Sequence, residues 1–325
     1  MRKRSIYPTR SLIEKDRIQS KNCGNSAVQG GALNIWLSNE GKCYIANSSF
    51  INCSAKYDGG AIYTQISSGA ELTIDGLCSF TDCYTQQYGG GLYAKIDGLN
   101  SKLILEDGMK FERCRSQQGG GAYIYFNNNG SFDINKVQYI DCEGINGGGI
   151  YINSNTSKTL NLNGTLLERC KSSYQGGGLY VNIYYGGQLI IDSCQFYQCE
   201  SGNGGGIYVQ IYFPGQCSFI IKNTTIHECK ALNSTNSSLS YTESGYGGGI
   251  FLTGSGYYNT STGLINLKGM KIYNNSADKY GQSLYVAITQ VIQWCKYGIL
   301  GDRVKGNYSD GISNKNELEG IPMAT

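Results

Sequence analysis

The chain of 325 residues carries 46 glycines, only three prolines and 16% charged residues. Glycine at this level falls far short of a collagen repeat, and no run of 18 apolar residues is present to span a bilayer as a helix. A net charge of +3 is too weak to mark a nucleic-acid binder. Pro8 and Pro322 lie near the ends, so Pro214 alone interrupts an interior whose backbone N–H groups stay available for a continuous ladder.

In chain order, residues 1–11 read as a basic N-terminal tail with Arg2, Lys3 and Arg4. Leu12–Cys23 aligns without a gap onto Leu103–Cys114, so the chain enters in the middle of a repeat and is expected to be part of a longer solenoid. A glycine cluster followed by an aliphatic, and usually a tyrosine, then recurs nine times, from Gly30-Gly31-Ala32-Leu33 to Gly281-Gln282-Ser283-Leu284-Tyr285. Most steps are 28 to 30 residues, and the last two are 43 and 34.

Each unit holds three segments of period-two alternation, the signature of strands. The first is typified by Leu179-Tyr180-Val181-Asn182-Ile183 and the second by Gly187-Gln188-Leu189-Ile190-Ile191. The second closes in a column of turn formers: Asn47, Asp75, Asp107, Asn135, Asn163, Asp192 and Asn223. The third is an aromatic-x-x-Cys element, such as Phe80 to Cys83 or Phe111 to Cys114. Three strands and three turns per repeat predict an all-β fold, a parallel β-helix over 12–300 with about nine rungs spaced about 4.8 Å apart.

Charge tests this register, because equivalent residues on adjacent rungs lie side by side. Before the column cysteine stand Asp82, Arg113, Asp141 and Arg169; after it stand Arg115, Glu143, Lys171, Glu200 and Lys230. Both columns alternate in sign, as in-register stacking requires. The Asn/Ser/Thr-rich stretch 231–245 reads as a loop insertion, Val291–Leu300 as a last apolar strand or cap, and 301–325 as a polar C-terminal linker.

These motifs resemble the repeats of the chlamydial polymorphic outer-membrane proteins, which pair GGA[ILV] with FxxN. Gly59-Gly60-Ala61-Ile62 matches the first motif to the letter, and the Gly-Gly-Gly-Ile/Leu units match it loosely. Cysteine replaces the asparagine of the second motif except in the last rung, Ile272-Tyr273-Asn274-Asn275. The similarity covers about 12–288. It implies a right-handed β-helix of the pectin-lyase-like class and a surface-exposed adhesin role.

Thirteen cysteines include an eight-membered column: Cys23, Cys53, Cys83, Cys114, Cys142, Cys170, Cys199 and Cys229. Two readings stay open, an inward ladder of thiols and disulfides between adjacent rungs. With a single histidine and no C-x-x-C, no metal or other cofactor is expected. Eleven N-x-S/T sequons, among them Asn47, Asn52, Asn163, Asn223 and Asn274, favour an extracellular or cell-surface glycoprotein. Met1–Ser20 nevertheless lacks the apolar core of a signal peptide.

Enzymes on such scaffolds need clustered carboxylates. Asp75 and Asp107 form the nearest pair by register, although turn formation explains both. His227 has no nucleophile beside it and reads as an exposed strand residue. The candidate binding face is a column of outward aromatics on the first strand: Tyr63, Tyr93, Tyr123, Tyr151, Tyr180, Tyr208, Phe251 and Tyr285. Gln65, Lys95, Tyr125, Asn153, Asn182 and Gln210 flank it. Such a face suits a glycan or a surface protein as partner, while ladder stacking alone would also explain it. The expected function is a non-enzymatic spacer or adhesin, and the alternative is a carbohydrate-active β-helix enzyme, a polysaccharide lyase or glycoside hydrolase.

Overall fold

A computed structural model describes residues 4–6, 12–24, 27–233, 243–296 and 318–322. The chain is a parallel β-solenoid of about nine turns. First strands of successive rungs, from Leu33–Leu37 to Leu284–Ile288, stack into one sheet, with Arg4–Ile6 and Leu318–Pro322 added at its two edges. Second strands, from Leu12–Asp16 to Ile265–Asn266, form a nine-stranded sheet, and third strands, from Gln19–Lys21 to Lys271–Tyr273, form another.

Most rungs also carry a short fourth strand after the column cysteine, such as Ser54–Ala55 or Glu200–Ser201, that the three-segment pattern did not predict; after Cys114 it is reduced to single bridges from Arg115 to Tyr84 and Glu143. Its cause is local. The residue before the cysteine takes a left-handed conformation, with φ of 54° at Asp82, 51° at Arg113 and 52° at Asp141. This bends the chain so that the next residues pair with the following rung.

The glycine cluster solves two different problems at one corner. Gly89 has φ of 67°, a region that Cβ-bearing residues rarely enter. Gly90 has no room instead: a Cβ there would stand 2.2 Å from the Gly120 carbonyl oxygen on the next rung. The interior is filled by the inward members of every strand, for example Leu179, Val181, Ile183, Leu189, Ile191 and Phe196, all fully buried.

Several expectations need correction. The basic tail contributes Arg4–Ile6, which pairs with Leu33–Ile35, and the polar linker contributes Leu318–Pro322, which pairs with Leu284–Ile288. An open sheet edge offers unpaired N–H and C=O groups to any extended segment, whatever its composition. Val291–Lys296, expected as a last strand or cap, is an α-helix that seats Val291 and Trp294 against the core. The ungapped N-terminal alignment slips by one residue in the second strand, because Leu12 pairs with Lys42 and so shares a column with Lys102 instead of Leu103. Within the 231–245 insertion, 234–242 lie outside the described residues. The insertion's flanks are tied down by Asn233 N–H to Asp278 Oδ2 at 2.8 Å and Gly245 N–H to the Gly202 carbonyl at 2.7 Å.

Candidate functional surface: the tyrosine face and its neighbours

The first-strand register places the candidate tyrosines in one column: Tyr63, Tyr93, Tyr123, Tyr151, Tyr180 and Tyr208 are successive partners, followed by Phe251 and Tyr285. From Tyr63 to Tyr285 the ring centroids of successive members are separated by 5.0, 5.4, 4.9, 4.4, 5.2, 5.0 and 5.0 Å. Rung spacing is close to the distance at which aromatic rings stack offset, so each ring spends its faces on its neighbours. Tyr63, Tyr123, Tyr151, Tyr180, Tyr208 and Tyr285 are consequently buried. Tyr88 leans on Tyr93 and Tyr123, and Tyr246 on Tyr285, covering the column from the glycine corner. The face is therefore not the open platform the alternation suggested. Its rings can offer a ligand edges and hydroxyls only.

The flanking amides serve this ladder. Gln65 donates to the Tyr63 hydroxyl, and Asn182 Nδ2 lies 3.4 Å from Tyr151 Oη. Burial pushes the Tyr123 phenol up to about 12 and raises Tyr93, Tyr151 and Tyr208 as well.

The carboxylate pair is not assembled. Leu105 pairs with Ile74, which sets Glu106, not Asp107, beside Asp75. Asp75 accepts the Tyr44 hydroxyl, and Asp107 meets Lys136 Nζ at 3.0 Å. His227 is half-buried rather than exposed, stacked between Tyr197 at 4.5 Å and Tyr273 at 5.1 Å. Its neighbours at the same register on both adjacent rungs are aromatic, which the local motif around it did not reveal.

The charge columns pair as their signs required. Arg113 grips Asp82 through two bonds of 2.8 and 3.0 Å, Arg169 grips Asp141 in the same way, and Arg115 reaches Glu143 at 3.3 Å. The Arg113 guanidinium holds the Asp82 carboxyl below the usual range. Shallow grooves run along these columns, one of them lined by Asp141, Arg169, Glu200, Glu228 and Lys230.

Inside, no disulfide joins the column cysteines. From Cys53 onward each thiol donates to a carbonyl of the preceding rung, as Cys83 does to Phe50 at 3.4 Å and Cys170 to Tyr139 at 3.3 Å. In the last rung Asn275 Nδ2 reaches the Ile226 carbonyl at 3.1 Å, the same bond made by an amide. Cysteine and asparagine interchange here because both are small donors aimed at one acceptor. Among the described residues no group of three or more His, Cys, Asp or Glu side chains is arranged to hold a metal, and no helix is long and apolar enough to cross a membrane.

The column pattern missed a group of aromatics that project into water. Tyr185, Tyr212 and Tyr257 sit at the corner between first and second strands. The available signal was three adjacent aromatic doublets, Tyr184-Tyr185, Tyr212-Phe213 and Tyr257-Tyr258, on successive rungs. No known sequence family, curated protein or solved structure matches the chain.

Proposed function

We propose that the chain is a non-enzymatic rod of a secreted or surface-displayed protein, acting as a rigid spacer or adhesin. In this reading it is a pectin-lyase-like β-helix akin to the polymorphic outer-membrane repeats. The observation that carries the proposal is how the repeated columns are used. Tyrosines stack on tyrosines, arginines close on aspartates of the previous rung, and thiols bond to the carbonyls behind them. Side chains spent on their own neighbours hold a rod straight, with each rung stabilised by the next. Asn47, Asn52, Asn163, Asn223 and Asn274 are exposed sequon asparagines, and carbohydrate on them would suit such a protein.

Incubation of the purified protein with polygalacturonate and with neutral polysaccharides tests this against the carbohydrate-active alternative. The expected result is no new reducing ends and no unsaturated products. Steady product release that disappears in Asp75→Asn would overturn the spacer reading and install the enzyme.

A further inference from the structure

Resting on the adhesin reading, we infer a binding site for an uncharged oligosaccharide at the corner where rungs turn from first to second strand, built by Tyr185, Tyr212 and Tyr257. These rings are 71%, 41% and 59% exposed, in contrast to the stacked column a few residues away.

The corner is built rather than loose. In the strand Ile250–Ser255, Gly254 pairs with Ile211, but it has no side chain, and the Phe213 ring fills the space a Cβ would claim at 2.3 Å. Phe213 packs on the fully buried Tyr258 at 4.7 Å, and Tyr258 is fixed by bonds from its N–H to Thr289 and from Ile265 N–H to its hydroxyl. Pro214, the one interior proline, lies against Gly256, and Gly186 against Gly215, so each turn touches the next although their lengths differ. In two of the doublets one aromatic is therefore an anchor and its chain neighbour, Tyr212 or Tyr257, faces water.

Tyr185 supplies an independent sign. It stands at φ of 55°, a conformation unfavourable for a bulky residue. Other rungs place Asn39, Glu40, Ser68, Asn100, Asn128, Asn129 and Gln216 in this conformation at the same corner, and Tyr185 is the one aromatic among them. An aromatic in this conformation whose ring stays 71% exposed is not explained by packing, which is what motivates a binding role for it.

Charge identifies the ligand class. Corners of most earlier rungs carry charge, as Glu40, Lys42, Glu71, Asp97, Lys102 and Lys158 show, whereas 179–191, 207–221 and 250–267, like 122–132, contain no charged residue. What remains is tyrosine, glutamine, asparagine, serine and threonine. Flat rings ringed by neutral donors and acceptors match the apolar faces and hydroxyl edges of a sugar, and they offer nothing to a charged one. The rung spacing of about 4.8 Å is also close to the advance per residue of an extended hexose chain, so neighbouring rungs can meet neighbouring sugars.

Calorimetric titration with cellohexaose, laminarihexaose and mannohexaose, against hexagalacturonate and a heparin hexasaccharide, tests the site. At least one neutral hexasaccharide should bind, with little dependence on salt. Tyr185→Ala and Tyr257→Ala should each weaken it by about three- to tenfold, the corresponding Phe variants much less, and Tyr84→Ala at a different corner not at all. Circular dichroism of each variant confirms that the rod is retained. Absence of binding to all three neutral sugars overturns the proposal, as does binding unchanged in the Tyr185, Tyr212, Tyr257 triple alanine variant or a preference for the charged probes. Self-association lost in that triple variant, with no sugar bound, would give the patch to a second copy and overturn it equally. None of these failures touches the rod itself, which the product-release assay judges.

Discussion

Two aromatic ladders follow the rod, one on the first-strand face from Tyr63 to Tyr285 and one inside over four rungs, ending where Leu167 succeeds Tyr139. Phe50, Phe80, Phe111 and Tyr139 stack at 4.9, 4.4 and 4.8 Å in the core, while the outer tyrosines stack at 4.4 to 5.4 Å. The same rung spacing produces both, but their surroundings differ. Inner rings have every face covered by apolar side chains, whereas outer rings keep an edge near water, where Gln65 and Asn182 reach the phenols of Tyr63 and Tyr151. Tyr139 breaks the rule from within. It is fully buried in the inner ladder, and its hydroxyl has no hydrogen-bond partner. Stacking thus follows from parallel register in both settings, whereas a hydroxyl finds partners in the outer column and at Tyr139 is buried without one.

That contrast can be broken in order of size. Phe111→Ala empties a core position between two rings and should lose about 3–5 kcal/mol, read from denaturant unfolding. Tyr151→Ala, with its edge already at the surface, should lose about 1–3 kcal/mol through its two stacking contacts. Equal losses would mean that the outer ladder is as much core as the inner one. Tyr139→Phe should do the opposite and stabilise the protein by about 1 kcal/mol, since it removes a buried hydroxyl that bonds to nothing; a loss of stability would reveal a partner for that oxygen.

The smallest effect belongs to the solvent-facing charge columns. Arg113→Ala should cost about 0.2–1 kcal/mol at low salt and less at high salt, because both partners are largely exposed. The Asp82 carboxyl is depressed by its bonds to Arg113, so this contribution is complete above the ordinary aspartate value of about 3.9 and fades as pH falls through the lower folded value. A stability difference between wild type and Arg113→Ala that persists in strong acid would contradict the pairing.

Much of the rod was legible in the chain. The glycine corner, the period-two strands and the aromatic-x-x-Cys element recur too regularly to permit another fold, and sign alternation between Asp82, Arg113, Asp141 and Arg169 located neighbours thirty residues apart in sequence. Periodicity identifies which face a residue takes. It does not say what else will lie on that face, and this is why the tyrosine column looked open and His227 looked exposed.

Sequence by itself determined the repeat, the register of its charge columns and the inward strand residues, because these follow from short-range alternation and from like charges avoiding one another on adjacent rungs. Tertiary structure alone decided the rest. It closed the tyrosine faces on each other, parted Asp75 from Asp107 by a one-residue shift of register, bent the chain into a fourth strand after the column cysteine of most rungs, and turned Tyr185, Tyr212 and Tyr257 outward. Those outcomes depend on which side chains compete for the same space, and that competition exists only once the rungs are stacked.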